Sequence, residues 1–112
     1  MSTRPDTETI RAKVGGVPVK VIVEFGEHGQ PVDIVTAGYG KAGTPMDALW
    51  RCFVLTWREN FKRGVPVSAL RTLMHRRDES AGPTGNADVP DAGSLGDFFA
   101  RAVTAAAERR AK

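Results

Sequence analysis

The stretch TAGYGKAGTPMDA, Thr36–Ala48, decides the fold, because the periodicity of the sequence changes inside it. Upstream, PVDIVTA (Pro31–Ala37) alternates Val32, Ile34 and Thr36 against Asp33, Val35 and Ala37, the period of a strand. Downstream, Thr44 is placed to N-cap a helix, Pro45 suits its first turn, and Asp47 completes a Thr-x-x-Asp capping arrangement. Between them, Gly38, Gly40 and Gly43 have the spacing of a dinucleotide-binding fingerprint. That fingerprint requires a parallel βαβ unit and an acid about 20 residues further on, at the end of a second strand. Here the preceding strand follows a hairpin, the helix leads into another helix, and the nearest acid, Glu59, lies within the first helix. No Gly-Lys-Ser/Thr ends the loop, so a P-loop is excluded as well. The glycines are expected to make a sharp strand-to-helix turn. A second reading stays open: the free N–H groups from Gly40 through Gly43 to Thr44, with Lys41 and the Thr44 hydroxyl, are arranged to receive an anion.

Working upstream, VPVKVIVEF (Val17–Phe25) puts Val17, Val19, Val21, Val23 and Phe25 on one face and Pro18, Lys20, Ile22 and Glu24 on the other. TIRAKV (Thr9–Val14) alternates likewise, with Arg11 and Lys13 opposite Ile10, Ala12 and Val14. Gly15-Gly16 joins these strands as a two-residue turn, and GEHGQ (Gly26–Gln30) turns the chain into the third strand. Pro18 cannot donate to a ladder and belongs near a strand start or on an edge.

Working downstream, Met46, Leu49, Trp50, Phe53, Val54, Trp57 and Phe61 recur at helical spacing until Gly64 stops the helix. This stripe, with Cys52 assigned to it as a buried thiol, is expected to pack on the valine face of the sheet. VPVSALRTLMHRR (Val65–Arg77) predicts a shorter helix, apolar at Val67, Leu70, Leu73 and Met74, with His75, Arg76 and Arg77 at its negative pole. Asp78–Gly93 is rich in Gly, Pro, Asp and Asn and predicts a flexible linker. Ser94 and Asp97 then cap a last helix whose apolar face is Leu95, Phe98, Phe99, Ala102, Val103 and Ala106, ending in a solvated ERRAK.

The expectation is an α+β fold: a three-stranded antiparallel meander packed by one long amphipathic helix and one short helix. It divides into a disordered tail at residues 1–7, the α+β domain at 8–77, a flexible linker at 78–93 and a C-terminal helix at 94–112. That helix needs a surface to bury against, supplied by this domain, by a partner or by a homodimer.

Composition narrows the function classes. With 112 residues, 41% of them hydrophobic, one small core is expected, and the net charge of +3 favours an anionic partner. The pI is near 9.4. The lone Cys52 excludes an intramolecular disulfide and disfavours a cysteine zinc site, which fits a cytoplasmic protein. The N-terminus has no signal-peptide core, and no apolar run is long enough for a membrane span. His28 and His75 are isolated, and no Ser/His/Asp set has supporting context, so neither a catalytic nor a metal-ligating group is expected, nor a cofactor. Arg71, Arg76 and Arg77, with Arg63, His75 and Lys41, make a candidate basic patch for the phosphates of a nucleotide or nucleic acid; the alternative is a solvated helix face.

GQPVDI (Gly29–Ile34), GKAGT (Gly40–Thr44), KRGVPVSAL (Lys62–Leu70) and, more loosely, GSLGDFFARAV (Gly93–Val103) together resemble one module. It is the TSCPD domain, found at the C-terminal end of adenosylcobalamin-dependent class II ribonucleotide reductases and in short stand-alone proteins. The resemblance spans Ile10 to Val103. It departs at the run that names the family, Ser-Cys-Pro-Asp, which here is Ser94-Leu95-Gly96-Asp97. A thiol role is therefore absent, while the two capping residues remain. The resemblance implies a non-catalytic accessory or interaction module in ribonucleotide reduction and DNA replication, binding a nucleotide or a reductase subunit. It does not imply a reductase, since that chemistry needs several cysteines. The alternative is a small basic nucleic-acid-binding protein.

Overall fold

The computed structural model describes residues 6–111. Of the tail expected at 1–7, only Asp6 and Thr7 are described, and both belong to the first strand. That strand, β1 (Asp6–Val14), pairs antiparallel with β2 (Val17–Phe25), which pairs antiparallel with β3 (Pro31–Tyr39), giving the order β1-β2-β3. The meander follows from its turns. Gly15 and Gly16 take φ of 61° and 78°, a pair of left-handed positions whose twist matches the flanking strands, and Val14 faces Val17 across them. Pro18 is the second residue of β2, at the strand start.

Alternation then assigns the faces. Ile10, Val14, Val19, Val21, Val23, Phe25 and Ile34 are buried on one side. In β3 the alternation is broken by a bulge. Val21 faces Thr36 and Lys20 faces Gly38, so Ala37 has no partner of its own. The extra residue flips the phase and turns Tyr39 into the core, where its hydroxyl donates to the Val14 carbonyl at 2.8 Å.

Helix α1 (Pro45–Lys62) begins as expected: the Thr44 hydroxyl accepts the Asp47 N–H and Pro45 follows the cap. It ends at Gly64, whose φ of 87° reverses the chain while Val65 N–H bonds the Asn60 carbonyl. It packs along β3 through Trp50, Val54 and Phe61. Cys52 is exposed, not buried. At about 100° per residue, a position two residues from both Trp50 and Val54 lies on the far side of the helix. Met46 and Leu49, assigned to the buried stripe, are 52% and 65% exposed, because the sheet covers a narrower arc than the apolar residues occupy.

The short helix is a 3-10 helix over Val67–Leu73. Its apolar residues Val67, Leu70 and Leu73 recur every third position and align on one face at three residues per turn. His75, Arg76 and Arg77 lie beyond its end, so they do not sit at a helix pole. His75 has a φ of 64° and gives its N–H to the Asp97 carboxylate, which draws the chain out of the helix.

The segment expected as a flexible linker is tied down along its length. Gly82–Pro83 (β4) and Asp91–Ala92 (β5) pair as a small hairpin, with Val89 and Ala92 buried. The Asn86 side chain accepts N–H groups from Asp88 and Val89, Asp78 accepts from Ser80, and Asp78 N–H bonds the Gly93 carbonyl. Turn residues that bond their own backbone hold this stretch where large apolar residues are lacking. The hairpin also covers the edge of β1: Lys13 N–H donates to the Thr84 carbonyl and the Asn86 amide to the Arg11 carbonyl.

Helix α2 (Leu95–Ala111) starts from Ser94, whose hydroxyl accepts the Asp97 N–H. Phe98, Phe99, Ala102, Val103 and Ala106 are buried against this same chain. Phe99 meets Phe53 and Trp50 edge-on, with ring centres 4.9 Å and 5.8 Å apart. The end of α2 is not free in solvent. Arg110 is paired with Asp6 and Glu8, Arg109 with Glu8 and Asp88, and the Arg110 guanidinium stands 4.0 Å over the Phe25 ring. The protein is therefore an α+β fold with one continuous core. No helix among the described residues is long and apolar enough to cross a membrane.

Candidate functional site

The glycine-rich loop is built around an anion that the chain itself supplies. Asp47, in the first turn of α1, is buried, and its carboxylate accepts the Tyr39 N–H at 2.9 Å and the Arg51 Nε–H at 3.0 Å. The Tyr39 N–H first, then Arg51 and the Gly43 N–H, hold this carboxyl below its ordinary range. Arg51 also donates to the Ala37 carbonyl. Gly38 makes room for the arrangement: with φ at 117°, an added Cβ would stand 2.5 Å from Asp47 Oδ1 and 2.6 Å from Arg51 Nη2. The Thr44 hydroxyl donates to the Lys41 carbonyl while it accepts the Asp47 N–H, so it too is engaged. An acid of the chain itself therefore stands in the first turn of α1, beside its positive end. Gly43 and Lys41 are exposed, and the ion pairs found among the described residues do not include Lys41.

The arginine candidates are spread along another part of the surface. Arg71 is exposed on the 3-10 helix. Arg76 folds back to donate to the Thr72 carbonyl, and Arg77 lies against Gly93. Of the seven residues expected to bind an anion, Gly40 alone lines the groove that Arg11, Lys13 and Lys20 share.

That groove, of about 570 Å³, lies on the open face of the sheet. Arg11 and Lys13 enter it from β1 and Lys20 from β2, with Pro18 opposite Lys13. Gly38 and Gly40 form one wall, and Thr84 and Gly85 of the β4–β5 hairpin form the other. Arg11 and Lys20 are direct cross-strand partners. Two like charges so opposed repel and weaken a sheet. Their usual remedy is a nearby acid, and among the described residues none lines the groove. The seven ion pairs among the described residues all use arginines 51, 58, 101, 109 and 110, and none includes Arg11, Lys13 or Lys20. The Ala37 bulge lies directly beside Lys20, a placement that re-aims side chains next to binding sites.

The other end of the same face has the opposite sign. Thr7, Glu24 and Asp33 face one another across the three strands, and Arg58 reaches Asp33 at 2.8 Å. The sequence showed Arg11, Lys13 and Lys20 facing away from the apolar positions, and the two-residue turn at Gly15-Gly16 fixes Arg11 opposite Lys20. That register was the available signal. The hairpin wall at Thr84 and Gly85 gave none.

Comparison of the chain with protein-family models, with curated proteins and with solved structures gives no match.

Proposed function

We propose that this chain is a small binding module that takes an anionic ligand on the open face of its sheet. The observation that carries the reading is the trio Arg11, Lys13 and Lys20, gathered in one groove without a neutralising acid. Three cations gathered with no acid in the groove lining leave an anionic ligand as their counter-charge. Calorimetric titration with inorganic polyphosphate tests it: wild type binds, and Arg11→Gln with Lys20→Gln does not. Equal affinity of wild type and the double variant overturns the reading.

A second reading rests on the likeness to the TSCPD module of class II ribonucleotide reductases. Two of the segments that carry it, Gly29–Ile34 and Lys62–Leu70, meet in the folded chain. Pro31 and Val32 line a groove of about 460 Å³ together with Phe61, Gly64, Val65 and Pro66. Such a groove, with Gln30 and Lys62 among its lining residues, supports contact with a protein, here a reductase subunit. Co-purification with a class II reductase, lost on Val65→Asp and retained on Lys20→Gln, is the expected outcome. Failure of the wild-type chain to co-purify rules this reading out.

A further inference from the structure

The open-face groove has a shape that selects among anions, and we infer that it takes a compact polyphosphate-bearing small molecule and not a nucleic-acid strand. This inference rests on the anion-binding reading above and narrows it.

The cationic zone is short. Arg11 and Lys13 are two residues apart on one strand, a span of about 7 Å. Lys20 stands directly opposite Arg11, which places the three side chains in a tight triangle. Moving four residues along β2 from Lys20 reaches Glu24, about 13 Å away, with Asp33 paired to it on β3. A phosphodiester backbone extended along the face would run from the cations onto these carboxylates. Across the face, the groove is bounded by Thr84 and Gly85 on the hairpin side and by Gly38 and Gly40 on the other. What fits is a ligand whose charge is concentrated within one end of the sheet.

The lining points the same way. The groove residues include no aromatic ring. Trp50, Phe61, Phe98 and Phe99 are buried in the core, and Phe53 and Trp57 are packed against it. A site for single strands relies on stacking bases upon exposed rings. Charge is what this groove offers. The Arg11 fork can hold two oxygens of one phosphate, while the Lys13 and Lys20 ammonium groups act as point charges on its neighbours. A volume near 570 Å³ suits a small molecule.

The test uses the full chain and three probes: inorganic tripolyphosphate, inorganic monophosphate and a single-stranded oligothymidylate. Each is titrated by calorimetry and followed by backbone amide shifts. Tripolyphosphate is expected to bind more tightly than the other two, with shifts confined to residues 11–20, 38–40 and 84–85. Lys20→Gln is expected to weaken it about tenfold, the loss of one charge-assisted bond. The same variant is expected to raise Tm at low salt, because cross-strand repulsion is relieved, which a merely structural lysine would not do. Arg11→Gln provides the same pair of readouts should Lys20→Gln fold poorly. Oligothymidylate binding more tightly than tripolyphosphate overturns the inference and leaves the cationic groove standing as a site. No binding by any probe overturns both. Shifts centred on Lys41 or on residues 71–77 overturn the location.

Discussion

Asp47 and Asp97 are two uses of one device. Each occupies the first turn of a helix behind a hydroxyl cap, Thr44 or Ser94, and each pairs with an arginine four residues on, Arg51 or Arg101. Each also accepts backbone N–H groups from outside its helix: Tyr39 for Asp47, and His75 and Gly93 for Asp97. The pattern is legible as Thr-x-x-Asp-x-x-x-Arg and Ser-x-x-Asp-x-x-x-Arg. Reading the sequence located the caps but not their arginine partners, because a buried carboxylate announces itself only once its donors have converged. Burial opposes ionisation of Asp97, and the Gly93 and His75 N–H groups with Arg101 outweigh it, holding the carboxyl below its ordinary 3.8. Its folded-state value being the lower one, Asp97 contributes stability above pH 3.8 that is lost as pH falls through the folded value. Asp97→Ala is expected to cost about 3 kcal/mol in urea unfolding at neutral pH, since two N–H groups and a guanidinium lose their acceptor. Asp97→Asn is expected to flatten the acid limb of the stability profile; an unchanged limb would place the proton uptake elsewhere.

Among elements, the β4–β5 hairpin departs most from what the sequence led one to expect. Its composition matches a linker, and the few apolar atoms it buries belong to Val89 and Ala92. Those two side chains, with the Asn86 and Thr84 bonds to β1, convert a polar stretch into a buttress for the strand that carries Arg11 and Lys13. Val89→Ala is expected to destabilise the protein by about 2 kcal/mol and to speed hydrogen exchange at the Lys13 amide. Stability loss without faster exchange at Lys13 would mean that the hairpin does not brace β1. The three strands and α1 were readable because their periods are long and uninterrupted. The Ala37 bulge and the 3-10 geometry were not, since a single extra residue or a tighter turn leaves the apolar pattern almost unchanged. The groove inherits this split: two of its sides come from the readable hairpin, and its walls come from the bulged strand and the misread segment.

At the scale of the molecule, α2 locks the fold by reaching back to the first strand. Arg109 and Arg110 contact Glu8, Asp6 and Asp88, and the aliphatic and aromatic side chains of α2 complete the core. Arg110→Ala is expected to cost about 1 kcal/mol, combining an ion pair with its stacking on Phe25, and the effect should shrink in high salt. The Glu8 carboxyl, opposed by burial but drawn down by Arg109 and Arg110, adds a second contribution that is present above its ordinary 4.5 and fades as pH falls through the folded value. Glu8→Gln should therefore remove part of the same acid limb, measured by urea unfolding across pH.

The clasp between Asp6 and Arg110 joins residues 104 positions apart. During synthesis the valine ribbon of the sheet is made early and its last cover, Phe98 and Phe99, is made late. A ribosome-tethered chain stalled before Phe98 has left the exit tunnel should therefore remain open to protease, and protection should appear only once Phe98 and Phe99 have emerged.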